Sequence, residues 1–207
     1  KQVIAAYDQQ MAPYNALYNP SRLSSSDQAL FSQLKDVMAV KAYAHASDSF
    51  AWDELASVYE HSQSALEGVE HSPLSSALDH SSYALLSDRY LAIADDSTAA
   101  QLSETLSSLK GASDDAKGVF LNENFYKAVS QSLTKLEGNE FQETLKTVKG
   151  IMSSMYSDAA QSESVNNAFL TSLDQSLQTQ VEKVQGLIAS TQKSINTTAS
   201  RPALEDL

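Results

Sequence analysis

The chain of 207 residues contains no cysteine. This absence excludes disulfide bonds, zinc sites built on thiolates, and cysteine nucleophiles. Glycine and proline are also scarce, with 6 and 4 residues respectively. Because these two residue types build tight turns, their scarcity favours long helices over many short strands. No apolar run approaches the roughly 18 to 20 residues of a transmembrane helix.

The chain also has few basic residues. The 14 lysines and arginines face 26 aspartates and glutamates, which gives a formal net charge of -12 at pH 7. Such a charge repels phosphate backbones and anionic lipid surfaces, so we expect no nucleic-acid partner. The chain opens on Lys1 without a methionine, which indicates a processed or trimmed fragment. Heavy use of Ser, Ala, Gln and Asn suggests a periplasmic or cell-envelope protein of a bacterium, such as a lipoprotein.

Apolar residues recur at helical spacing along nearly the whole chain, and strand-like alternation is nowhere sustained. We predict seven or eight amphipathic helices joined by mostly short loops, which make neighbouring helices antiparallel. The predicted fold is all-α: an elongated antiparallel up-and-down helical bundle with a long C-terminal helix. That last helix runs from about residue 157 to 197, with an apolar stripe from Val165 to Ile195.

Residues 1–200 are predicted to form a single helical-bundle domain, followed by a tail or linker at 201–207. The segment KGASDDAKG at 110–118 holds two of the six glycines and is predicted to be a loop. Two sub-bundles, 1–110 and 119–200, joined by this loop fit the pattern as well as one bundle does.

Local signals predict several helix ends. One helix is predicted to start with Ser26 or Asp27 as its N-cap, and the next to run to about Glu70. Ser72 is predicted to cap a further helix, because Pro73 suits the first helical position.

Three of the four histidines follow an acidic residue and precede a serine: His61, His71 and His80. Metal ligands on a helix share one face, at spacings of three or four residues. These histidines are 10 and 9 residues apart, and a helical wheel places them at a helix flank, at a helix junction and towards solvent. The HExxH and GxSxG motifs do not occur. The sequence therefore predicts no metal site, no cofactor and no hydrolase triad.

The first candidate ligand-binding residues are Tyr7, Tyr14 and Tyr18, which share one face of the first predicted helix. Such a stripe is either core or a cleft lined by apolar rings with polar tips. Pro13 is expected to kink this helix, which would help to open a cleft.

The other candidates are cationic or titratable groups on predicted apolar faces. Lys41 and His45 lie within the stripe of the second predicted helix, where they either cap carbonyls or belong to a ligand cleft. Arg89 lies on the apolar side of its helix, where it either pairs with a carboxylate or holds an anionic ligand.

Because no catalytic set converges, the sequence predicts a non-enzymatic, extracytoplasmic helical-bundle domain that binds a protein partner or a small ligand. One alternative is the ligand-sensing domain of a membrane receptor, with its first and last helices side by side. A second is a metal-dependent enzyme that uses His and Glu residues. A third is an assembly protein whose last helix pairs with another chain, since the apolar run from Leu173 to Ile188 is heptad-like.

Overall fold

The computed structural model describes residues 23–44 and 52–199. Within these two ranges the chain forms eight helices and no strand. The helices are α1 (Ser25–Ala44), α2 (Trp52–Leu66), α3 (Pro73–Asp96), α4 (Ala99–Gly111), α5 (Asp114–Phe120), α6 (Glu123–Leu133), α7 (Gly138–Met152) and α8 (Ala159–Ala199). The predicted all-α helical bundle with a long C-terminal helix is confirmed. The first predicted helix lies outside the described residues.

Reciprocal side-chain caps begin two of these helices. The Ser72 hydroxyl accepts a hydrogen bond from the backbone N–H of Ser75, whose own hydroxyl accepts from the backbone N–H of Ser72. Pro73 follows at the first helical position, so the predicted cap is confirmed. Thr98 and Gln101 form the same box before α4.

Two predictions about α1 are wrong. Ser24 is the residue that caps the helix, since its hydroxyl accepts the backbone N–H of Asp27 at 3.1 Å. The predicted caps, Ser26 and Asp27, lie inside the first turn. The spacing of the apolar residues Leu30, Phe31, Leu34, Val37 and Met38 predicts one buried stripe. Met38 is nevertheless exposed, because the face that α1 buries passes through Leu30 and Val37.

The predicted boundaries of α2 and of the central loop are also wrong. Helix α2 ends at Leu66, before the predicted Glu70, because Gly68 adopts a left-handed φ of 70° that ends a helix. The predicted loop at 110–118 contains most of α5. The hydroxyl of Ser113 caps this helix, and two aspartates in the first turn suit its N-terminal dipole.

The first three helices pack on one another, and α6 and α8 extend the bundle from α3. Helices α2 and α3 are antiparallel, because Gln63 donates to the Ser82 hydroxyl at 3.2 Å while Trp52, at the other end of α2, lies 4.8 Å from the Arg89 guanidinium. Helix α1 packs against both, α6 packs on α3, and α8 packs on α6.

One hydrophobic cluster extends from Leu30 to Leu173 and draws residues from both sides of the segment 110–118. Its aromatic part joins three helices, since the ring of Trp52 meets Phe120 at 4.5 Å and Phe125 at 6.3 Å, both edge to face. These contacts tie α2, α5 and α6 together beside the site described below.

Helix α8 has 41 residues, which is about 60 Å at 1.5 Å per residue. Its first half buries Val165, Phe169 and Leu173 against the bundle. Every described side chain from residue 177 onward is exposed, so we call residues 177–199 the projecting segment. Among the residues that the structure describes, no helix is both long and apolar enough to span a lipid bilayer.

Candidate functional site

Two of the six predicted ligand-binding residues, Lys41 and Arg89, lie within the described structure. The remaining four are Tyr7, Tyr14, Tyr18 and His45, and they lie outside the described residues.

Lys41 and Arg89 both contribute to packing between helices. The Lys41 ammonium forms an ion pair of 2.9 Å with Asp88, which links α1 to α3 at the surface. The Arg89 guanidinium lies over the Trp52 ring, where burial lowers the pKa of Arg89. An arginine nevertheless remains charged at physiological pH. The two side chains therefore join α1, α2 and α3 to one another.

The structure does not bring together His61, His71 and His80, the three histidines that each follow an acidic residue and precede a serine. His61 and His80 are exposed on α2 and α3, and His71 is exposed in the link between these helices. The His61 ring lies 3.3 Å from the Ser57 hydroxyl, one helical turn away. In the ranges 23–44 and 52–199, no group of three or more His, Cys, Asp or Glu side chains is placed to hold a metal ion.

A cavity of about 380 Å³ opens between α3 and α6, beside α2. We call it the tyrosine groove, because Tyr59, Tyr83 and Tyr90 line it. The other lining residues are Leu86, Ser87, Leu91, Ala94, Val119, Asn122, Asn124, Lys127, Ala128 and Gln131. Its size and its mixture of apolar walls with a few polar groups are typical of small-molecule sites, which occupy roughly 300–1,000 Å³.

The buried side of the groove is held in place by Asn122, which stands just before α6. Its amide nitrogen donates to the Tyr90 hydroxyl at 2.7 Å and to the Val119 carbonyl at 3.2 Å. Its side-chain oxygen accepts the backbone N–H of Phe125 at 3.1 Å and so caps α6. The ring of Tyr90 meets Phe125 edge to face at 6.3 Å. One asparagine therefore fixes both the start of a helix and the position of the Tyr90 hydroxyl.

The electrostatics of the groove differ from those of the whole protein. Burial raises the pKa of Tyr90 to about 12, the Asn122 hydrogen bond opposes this, and the neighbouring Tyr59 and Tyr83 add to it. The Tyr90 hydroxyl is therefore neutral at physiological pH. Among the described residues that line the groove, Lys127 supplies a positive charge and none is an aspartate or glutamate. The lining itself therefore has one positive charge, in a chain whose net charge is -12.

The outer rim of the groove is apolar and open to solvent. Tyr83 is 60% exposed and Leu91 is 56% exposed, both on α3. Large apolar side chains exposed next to a cavity are typical of binding sites. A ligand can therefore contact these two side chains without displacing any packed part of the core.

A larger and more polar groove lies on the other side of α6. It has a volume of about 1,000 Å³, and residues of both α6 and α8 line it. It shares Asn122, Lys127 and Gln131 with the tyrosine groove, but Ser, Thr, Gln and Ala residues form most of its α8 wall. Water hydrates such a wall well, so a ligand gains less by covering it than by covering tyrosine rings.

The sequence contained part of the signal for the tyrosine groove. Tyr83 and Tyr90 are seven residues apart, which is about two helical turns, and therefore share one face of α3. Tyr59 belongs to another helix, and only the packing of α2 on α3 brings it to the same cavity.

No known protein family, curated protein or solved structure matches this chain. The function proposed below therefore depends on the groove alone.

Proposed function

We propose that this protein is a non-enzymatic binding domain that holds a small, ring-bearing organic acid in the tyrosine groove. The proposal rests on one observation: three tyrosines line one cavity together with Lys127 and without any carboxylate. Ligand binding, which the sequence predicts, is thus assigned to the residues that line the tyrosine groove and not to the six residues that the sequence indicates.

The ligand class follows from the chemistry of the lining. The exposed ring of Tyr83 and the partly buried ring of Tyr59 favour a flat ring that stacks against them or meets their edges. The Lys127 ammonium favours a carboxylate, and the side-chain amides of Asn124 and Gln131 supply donors and acceptors for polar substituents. Charges on exposed groups are screened within about 8 Å at physiological salt, so Lys127, which lines the groove, has more influence on the ligand than carboxylates beyond that distance have.

Binding suits this groove better than catalysis does. Its titratable groups are three tyrosines and one lysine. With a pKa of about 12, Tyr90 is a poor general base near neutral pH. The described histidines also lie outside the groove lining.

We also propose that the protein works outside the cytoplasm, in the cell envelope. The support is compositional: the chain is rich in Ser, Ala, Gln and Asn and has few lysines. Fractionation of the source cells, with an antibody against the chain, tests this location. Recovery with the cytoplasmic fraction would contradict it.

The ligand class is tested by thermal unfolding with matched pairs of compounds: benzoate against benzamide, and indole-3-acetate against indole-3-acetamide. A ligand at ten times its Kd stabilises the folded state by about 1.4 kcal/mol. For a chain of this length that raises Tm by roughly 3–6 °C. We expect the acids to raise Tm more than their neutral amides do.

Two substitutions in the groove should remove this shift. Tyr83→Ala removes an exposed ring, and Lys127→Gln removes the positive charge. Lys146→Gln, on an exposed position of α7 outside both grooves, is the matched control. Equal shifts in all three variants, or no shift with any of the four compounds, would count against the proposal.

A further inference from the structure

The projecting segment of α8 exposes an apolar stripe along its length. Its exposed large apolar side chains are Leu177, Val181, Val184, Leu187, Ile188 and Ile195, with exposures from 37% to 66%. From the first to the last of these positions the helix rises about 27 Å. A continuous stripe of this length is more than the scattered apolar residues of an ordinary surface, and such a surface typically has a binding partner.

Most of the stripe follows a seven-residue repeat, in which Thr191 is the one polar residue, while Leu187 lies beside the repeat at position g. In heptad notation it consists of two rows, with Val181, Ile188 and Ile195 at position a and Leu177, Val184 and Thr191 at position d. A sustained 3-4 spacing matches the left-handed supercoil of two helices and not the face of a single straight helix. The surface that complements this stripe is therefore another helix with the same repeat.

The charged residues of the projecting segment lie outside the a and d positions, which form the seam of a coiled coil. The segment has one acidic residue, Glu182, and two basic ones, Lys183 and Lys193, so its net charge is +1 while the whole chain has -12. All three occupy the outer positions b, c and f. The e positions are Gln178, Gln185 and Gln192. Two copies of the segment can therefore meet without the repulsion between like charges that the rest of the surface would produce.

The sequence of the segment also gives its helix little stability of its own. Residues 186–199 contain Gly186 and several Ser, Thr and Asn residues, all of which are weak helix formers. Most helical stability in proteins comes from packing an apolar face, and isolated short helices are marginal in water. A packed partner would supply that stability.

We propose that the projecting segment pairs with the same segment of a second copy of this chain, as a parallel, in-register two-stranded coiled coil. β-Branched residues fill all three a positions and Leu177 fills one d position, as in two-stranded parallel coiled coils, while Val184 and Thr191 at d depart from the leucine of that pattern. Residues 1–22 of the same chain fit the seam less well, because Pro13 interrupts their predicted helix, whereas a second copy offers an uninterrupted helix.

Cysteine cross-linking of the full 207-residue chain tests this pairing directly, since each introduced cysteine is the only thiol present. Val181→Cys and Ile195→Cys, made separately, should each form disulfide-linked dimers, because residues at a face their own copies across a parallel seam. Ser190→Cys, at the outer position c, is the matched control and should give only background cross-linking.

Light scattering of the unsubstituted chain across a dilution series should show twice the 22.4 kDa chain mass at the concentrated end and the chain mass when dilute. Ile188→Glu should raise the dimer Kd roughly 100-fold or more, because it buries an unpaired charge in the seam. Ala189→Glu, at the outer position b, should leave the Kd nearly unchanged.

Three results would overturn the proposal. A chain that stays monomeric at every concentration, with no cross-linking, shows that no second copy binds. Cross-linking only when the Ile195→Cys chain is mixed with a Leu177→Cys chain shows an antiparallel pair, in which position a faces position d. A monomer that dimerises only after removal of residues 1–22 shows that this segment covers the seam.

Discussion

Alkaline pH should destabilise this protein through two tyrosines. Burial raises the pKa of both Tyr90 and Tyr126 to about 12 from the ordinary value of 10.0. Because the folded pKa lies above the unfolded one, the unfolded chain loses these protons first as pH rises. The stability that depends on the neutral hydroxyls is therefore complete below pH 10 and is lost between about pH 10 and 12.

The size of the loss follows from the two shifts. A full shift of two units corresponds to about 2.7 kcal/mol for each tyrosine. The rings are 8% and 7% exposed, but both hydroxyls are near the open grooves, where solvent screens part of this energy. We therefore expect a loss of about 1–2 kcal/mol from each of Tyr90 and Tyr126. Compared with a total stability of roughly 5–15 kcal/mol, the two together are measurable.

Urea unfolding at a series of pH values from 9 to 12, followed by the fluorescence of the single tryptophan, measures this loss. The comparison is between the unsubstituted chain and the double variant Tyr90→Phe, Tyr126→Phe. Deprotonation of lysines and of Tyr156, whose pKa burial also raises, occurs in both chains and cancels. The double variant should lose about 2–4 kcal/mol less than the unsubstituted chain. Equal losses in the two chains would refute the assignment of the pH dependence to these hydroxyls.

Three further predictions concern stability at neutral pH. Phe125→Ala should cost about 3–5 kcal/mol in urea unfolding, because the ring is fully buried among other aromatic rings, whereas a cost below 1 kcal/mol would contradict its central place. Ser72→Ala should lower stability by about 1 kcal/mol in thermal melting, because the reciprocal cap of α3 is lost, and an unchanged Tm would show that the cap is dispensable. Gly68→Ala should destabilise the fold by about 1 kcal/mol, because Gly68 has a left-handed φ. Gly186→Ala, within a helix, should instead increase the helicity measured by circular dichroism. A Gly68→Ala chain as stable as the unsubstituted one, or a Gly186→Ala chain with less helix, would contradict this reasoning.

The sequence predicts the helices well and their ends less well. Apolar periodicity locates α3, α6, α7 and α8, since these helices bury one face or stripe of regular spacing. It misses α5, because Gly111 before this helix and Gly118 within it are typical of a loop, while the cap at Ser113 and the acidic first turn favour a helix. The composition of these nine residues does not reveal that one helix cap outweighs two glycines in this segment.

The candidate site is harder to predict than the fold for a physical reason. The tyrosine groove needs Tyr59 from α2, Tyr90 from α3 and Lys127 from α6, and helical periodicity relates residues only within one helix. The same limit affects Lys41, whose predicted place on an apolar face is explained by an ion pair with Asp88 of another helix. That pairing depends on how α1 meets α3, which no single-helix pattern contains.

The continuous helix α8 has a mechanical consequence for whatever binds its far end. Helix α8 stays in contact with the bundle as far as Gln180, which donates to the Thr134 carbonyl at 3.2 Å, and the rest of the projecting segment extends roughly 28 Å further. A tilt of about 5° where α8 leaves the bundle would displace its tip by roughly 2.5 Å, on simple lever geometry with that rise per residue. Small changes in the packing of α6 on α8, beside the grooves, would thus become displacements as large as a side chain at residue 199.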